Sequence, residues 1–251
     1  MFHRYLTSLC LLLLSGWSMA DATLIPYQAD YTTEWKVGWF SIDIDAQRTL
    51  KQLPDNQWQL SFHAETGAAA LTETSVLSYA NGRLWPQHYQ YRASGLFNEN
   101  DRTLSFDHTQ QRVMDAELDD KIYSNGWIAL EDDGPLIAPH DNLTYMQQAA
   151  LDLAAGAQEF AYPVFEKNKS KVFRFAVVAE ETLETAIGPL ATVKVQQLRS
   201  SNKRQIFAWF SKQHNYTLVR LVDRKDGKKR YQIDLQRIDM QPLSANEPDE
   251  Q

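Results

Sequence analysis

The chain has 251 residues, and 25 lysines and arginines against 32 aspartates and glutamates leave it at −7. A globally acidic chain of this kind argues against nucleic acid as its partner. One cysteine, Cys10, and ten scattered glycines exclude a disulfide framework and a Gly-rich phosphate loop.

Residues 1–20 carry a basic residue, Arg4, then an apolar run centred on Leu11 to Leu14, then small residues with Ser18 and Ala20 at the −3 and −1 positions of a cleavage site. This order predicts a secretory signal peptide. The run is far shorter than the roughly twenty residues a membrane-crossing helix needs. Cys10 lies inside the run rather than after it, which argues against lipidation, and cleavage after Ala20 would leave a periplasmic chain without a thiol. Loss of Arg4 would take the charge from −7 to −8. A mature chain of this length can bury roughly 70% of its unfolded surface without disulfides.

Beyond the signal, strands dominate. Ser41 to Asp45 and Trp58 to Ala64 alternate apolar and polar, and Pro54-Asp55-Asn56 between them supplies a turn, so they predict a hairpin. Val76 to Tyr79 and Leu84 to Tyr91 flank Asn81-Gly82, a type I′ signal, while Pro86 demands an edge or a bulge. Leu104 to Phe106, Phe173 to Val177, Val193 to Val195 and Ile206 to Phe210 continue the pattern, and Leu218 to Val222 closes on Tyr231 to Leu235 around Asp226-Gly227. Asp141 to Ala155 instead repeats apolar residues at helical spacing, with Asp141 as N-cap and Gly156 as stop. The expected fold is therefore mainly β: a curved antiparallel sheet or half-barrel of about twelve strands, with one helix covering its concave face or one end. Residues 21–239 form one domain in this reading, and 240–251 a disordered tail.

Chemistry is sparse. His63, His88, His108, His140 and His214 are not spaced as a zinc-binding pair on one strand or helix. His140-Asp141 invites a catalytic dyad, but adjacent side chains point apart and Asp141 has a helix to cap. Ser94-Gly95 and Ser124-Asn125-Gly126 give turns without the rest of a nucleophile elbow. Glu180-Glu181 and Asp132-Asp133 would need a cleft that raises one pKa and not its neighbour. The expectation is a non-enzyme with no cofactor and no metal. Charge is uneven, with acids running from Asp115 to Asp133 and bases from Arg220 to Arg230.

Two candidate surfaces remain. Trp35, Trp39, Trp58, Trp85, Tyr89 and Tyr91 crowd the amino-terminal half. They fill a core or line a concave cavity suited to an acyl chain or other amphiphile. Arg224, Lys225, Lys228, Lys229 and Arg230 form a basic hairpin that contacts an anionic surface or guards a sheet edge against aggregation.

Tyr27-Gln28-Ala29-Asp30-Tyr31 with Gly38, Asn81-Gly82-Arg83-Leu84-Trp85-Pro86, Ser105-Phe106-Asp107, Asp141-Asn142-Leu143-Thr144, Tyr162-Pro163-Val164, the segment from Glu184 to Val195, and Phe207-Ala208-Trp209-Phe210-Ser211 follow one another in an order that resembles a known family. It is the bacterial family of secreted envelope proteins called domain of unknown function 3108. The resemblance implies a β-rich periplasmic domain and transfers no site residues. Three functions stay open: a carrier of a lipid-like ligand, a non-catalytic envelope interaction or scaffold protein, and a hydrolase.

Overall fold

The computed structural model describes residues 23–37, 40–95 and 100–241. The expected signal peptide, the turn at Gly38, Trp39, the side chain of Trp35 and residues 242–251 of the expected tail lie outside the described residues. Fourteen strands form a single antiparallel sheet, two more than the alternation suggests. They are β1 (Tyr27–Val37), β2 (Phe40–Gln52), β3 (Gln57–Thr66), β4 (Ala69–Ala80), β5 (Arg83–Gly95), β6 (Arg102–Asp107), β7 (Arg112–Asp115) and β8 (Lys121–Tyr123) in the first run. After the helix α1 (Thr144–Ala154) come β9 (Glu159–Glu166), β10 (Lys169–Thr185), β11 (Gly188–Leu198), β12 (Arg204–Ser211), β13 (Thr217–Lys225) and β14 (Lys228–Met240).

The sheet is two up-and-down meanders joined where the chain ends meet: the order runs from β8 down to β1, then from β14 down to β9. Tyr27 pairs with Met240 and Trp35 with Tyr231 across that seam. Met240 and Gln241, whose amide donates to the Pro26 carbonyl, thus belong to the body rather than to the tail assigned from composition.

The turns follow the residues that demand them. Asn81 and Gly82 have φ of 54° and 73°, and Asp226 and Gly227 have 50° and 75°, the doubly positive pattern that suits strand twist. Pro86 sits at a bulge, since Val76 faces His88 while Leu77 faces Pro86. The sequence pattern misses β7 and β8 because strands of four and three residues cannot show alternation. It misses β9 because Pro163 breaks the run, and β9 is an edge strand, where a missing amide is tolerated; β1 also lies outside the runs marked by alternation.

Inward-facing residues alternate along the strands, as Ile44, Ala46, Arg48 and Leu50 on β2 and Trp58, Leu60 and Ala64 on β3 show by their burial. The right-handed twist of so many strands curls the sheet around α1. Phe165 on β9 lies 6.5 Å from the Phe106 ring and 5.4 Å from the Tyr123 ring, so the two ends of the sheet come face to face. They do not zip into a barrel. The segment 124–143 fills the gap: the His140 amide donates to the Pro163 carbonyl and the Phe165 amide to the His140 carbonyl, both at 2.8 Å, while Ser170 Oγ donates to the Gly126 carbonyl. Both edges are thereby short or covered.

The helix is an interior element. Eight of its eleven residues are buried, Gln147 and Gln148 among them. A helix buried nearly all round needs partners for its polar side chains. Gln148 takes the Leu84 amide and gives to the Gly82 carbonyl, and Gln147 accepts from the Tyr27 hydroxyl. The helix begins at Thr144, three residues later than its capping signal, because Asn142 and Leu143 form a turn whose Leu143 and Thr144 amides both donate to Asp141 Oδ1 at 2.9 Å. Asp141 still caps, from one turn further out. At the other end Gly156, at φ 89°, stops the helix as expected.

Candidate functional site

All strands alternate in direction, so the turns that follow odd-numbered strands gather at one end of the sheet. The helix runs along the inside from the middle of β4 and β5, where Asp141 meets Ser75 and Asn142 meets Tyr89, to the end opposite those turns, where Gln148 meets Gly82. A groove opens beside its first turn in two compartments.

The first, of about 410 Å³, has a floor of Tyr145, Phe173, Phe175, Val195, Ala208 and Leu221, and charged walls of Glu73, Glu166, Lys171 and Arg204. The second, of about 870 Å³, is bounded by Tyr89, Tyr91, Leu104, Phe165 and Arg102. Asn142 and Glu166 line both, so the two compartments adjoin at these residues. Volumes of this order match those of small-molecule sites.

Polar groups in the groove are tied down in pairs. Tyr89 donates to Glu73 Oε2 at 2.5 Å and accepts from Asn142 Nδ2 at 3.3 Å, and burial followed by the Glu73 charge drives the Tyr89 hydroxyl far above the usual tyrosine range. Arg204 grips Asp223 with two nitrogens, and that hydrogen bonding holds its guanidinium above its ordinary pKa. Lys171 Nζ sits 2.6 Å from Glu166 Oε2. Tyr145 stacks on Phe175 at 6.0 Å, and burial pushes its hydroxyl upward too. The result is an aromatic floor with fixed, alternating charges at its rim.

A second polar knot lies at the far end of the helix. Tyr162 donates to Asp152 Oδ2, and Arg83, His140, Gln148, Asp152 and Tyr162 line a smaller cavity of about 250 Å³. His140 is 1% exposed beside the Tyr162 ring, and burial, with the Arg83 charge second, brings its pKa down to about 3. The Asp141 carboxylate is taken up by Ser75 Oγ at 2.6 Å and by the two helix amides, so the pair His140-Asp141 is divided between two structural roles. Among the described residues, no group of three or more His, Cys, Asp or Glu side chains converges as a metal site. No helix among them is long and apolar enough to cross a membrane.

The aromatic residues expected to line one cavity separate. Tyr89 and Tyr91 do line the groove. Trp58 does not: it points inward near the start of β3, far from the mouth, and packs into the hydrophobic core that Leu50, Leu77 and Leu84 share. Trp85 lies near the start of β5, edge-on to His108 at 5.5 Å and beneath the Arg83 guanidinium at 5.0 Å. Position along the strand decides, because only the late part of β5 reaches the mouth. The basic residues Arg224, Lys225, Lys228, Lys229 and Arg230 stand exposed on the β13–β14 hairpin, with Arg230 3.3 Å from Asp223. Asn142, Tyr145, Phe173, Phe175 and Leu221 escaped the sequence reading. Alternation could have marked the strand residues as inward-facing, but nothing local says which inward faces stay unfilled.

These features define a class: an open, strongly curved antiparallel sheet wrapped round an internal helix, the one α-helix among the described residues. Residues 26–234 match the family model described as a protein of unknown function, DUF3108, and the chain belongs to that family. No curated protein matches it. Among solved structures it is similar to a beta-barrel-like protein of domain of unknown function DUF1849 from Brucella abortus, at 8% identity and a TM-score of 0.54, over 88% of this chain and 99% of that one. That likeness concerns the fold. A protein from Parabacteroides distasonis described as a lipoprotein gives 10% identity and a TM-score of 0.30 over 88% of this chain and 98% of its own, too low to carry an argument.

Proposed function

We propose that this chain is a non-catalytic carrier of the bacterial cell envelope that holds an amphiphilic, lipid-like molecule in the groove beside the first turn of α1. The observation that carries the reading is the adjacency of the two compartments, which meet at Asn142 and Glu166 beside the first turn of α1. An elongated ligand can lay an apolar tail on the Phe173, Phe175 and Leu221 floor while its polar end stays among the charges of the rim. Export through the segment 1–20 would place such a carrier in the periplasm. The alternative envelope role recruits partners by the basic hairpin or by strand addition, and the second route needs an open edge. β8 has only three residues, and β9 is clasped by His140.

The test is titration with a dansyl-labelled undecanoic acid, alongside native mass spectrometry of the gently purified protein. Ala208 is 6% exposed and lines the first compartment. Ala208→Trp should fill the floor and weaken probe binding at least tenfold. Failure of the wild-type protein to bind the probe saturably, with no lipid mass co-purifying, would remove the proposal.

A further inference from the structure

We infer that the basic side of the groove's mouth is a docking surface for anionic lipid head groups, holding the open groove against a membrane from which an amphiphile enters or leaves. The use of the surface rests on the carrier reading above, whereas its existence does not.

The surface is assembled from three neighbouring turns. Odd-numbered strands all run the same way, so the turns after β9, β11 and β13 share one end of the sheet. The first carries Lys167, Lys169 and Lys171, the second Arg199, Lys203 and Arg204. The third is the hairpin from Arg224 to Arg230, tied to the second by the Asp226 amide, which donates to the Lys203 carbonyl at 2.6 Å. Lys171, Arg199 and Arg204 also line the first compartment, so the basic surface and the groove mouth are one region. Lys171 is paired with Glu166, and Arg204 and Arg230 with Asp223, so the surplus of positive charge rests on the remaining lysines and arginines of the three turns, in a chain that as a whole stands at −7.

Two features resist a purely structural explanation. Lysines protect exposed sheet edges from pairing with other chains, yet β13 and β14 are internal strands, each flanked on both sides. The hairpin also sets like charges directly across from each other, Arg224 facing Lys229 and Lys225 facing Lys228. Like charges in the relation of Lys225 to Lys228 destabilise a hairpin, and an anionic surface relieves the repulsion. The acidic turn after β7, with Glu117, Asp119 and Asp120, lies at the same end beyond the second compartment. Because Lys167 lines that same compartment opposite Glu117, the turns after β11 and β13 are the part of the surface that meets the lipid.

The experiment is flotation of the full chain with vesicles of phosphatidylcholine containing 30% phosphatidylglycerol, compared with phosphatidylcholine alone. Binding is expected to the anionic vesicles and to be lost at 0.5 M salt. Arg224, Lys225 and Lys228 are all exposed, so the triple change Arg224→Gln, Lys225→Gln, Lys228→Gln should leave the fold intact by circular dichroism. It should weaken vesicle partitioning about a hundredfold. Lys51→Gln with Lys212→Gln, at the opposite end of the sheet, should change it less than twofold. Equal binding to neutral vesicles, no binding to either kind, or no loss in the triple variant would overturn the docking surface. Probe titration without vesicles reads the groove separately, so loss of one proposal leaves the other decided on its own measurement.

Discussion

Replacing Asp141 by alanine strikes the joint between helix, sheet and groove. The residue is 1% exposed, and its carboxylate accepts from Ser75 Oγ at 2.6 Å and from the Leu143 and Thr144 amides at 2.9 Å. Ser75 and Thr144 are themselves fully buried, so water cannot replace the lost acceptor there without the turn opening. Each buried donor left without an acceptor costs about 1–3 kcal/mol. Relief from burying a carboxylate, whose pKa desolvation raises, offsets part of this. The net loss should be about 3 kcal/mol, equivalent to a melting temperature lower by roughly 6–12 °C in a domain of this size. Asp141→Asn keeps an oxygen for the two amides and should lose only about 1 kcal/mol. Urea unfolding followed by tryptophan fluorescence measures both variants. Because Asn142 and Tyr145 flank the same turn and line the groove, probe affinity should fall with Asp141→Ala as well. An alanine variant as stable as the asparagine one would refute the capping argument.

His140 gives the protein a pH dependence of known sign. Its pKa falls from 6.5 to about 3 on folding, so the unfolded chain binds the extra proton and native stability drops as pH falls through that window. The slope should approach about 1.4 kcal/mol per pH unit near pH 4.5, and His140→Phe should flatten it in urea melts at stepped pH. Leu151, 3% exposed on α1, should lose about 2–5 kcal/mol on change to alanine in the same assay. The Ala208→Trp titration and the vesicle flotation complete the set, one reading the groove and the other its basic rim.

The period-two runs from Ser41 onward, the Asn81-Gly82 and Asp226-Gly227 turns, the bulge at Pro86 and the stop at Gly156 were legible in the sequence because each expresses a local rule of backbone geometry. The same rules fell silent at β7 and β8, which are too short to alternate, and at β9, where Pro163 hides an edge strand. The basic hairpin was visible as a string of charges, but its place on two internal strands was not, because strand order depends on pairing between residues far apart in the chain. Tyr89 and Trp58 illustrate the limit for the groove. Both are aromatic, buried on inward-facing positions and part of the same core cluster, yet only Tyr89 also lines a cavity. Alternation fixes which face a side chain takes, while the curl of the sheet around α1 decides how much room that face leaves. Residue type and spacing thus determined the hairpins, turns and cap of this protein. Only the tertiary structure decided where its interior stays open, since empty space arises between elements and has no residue of its own.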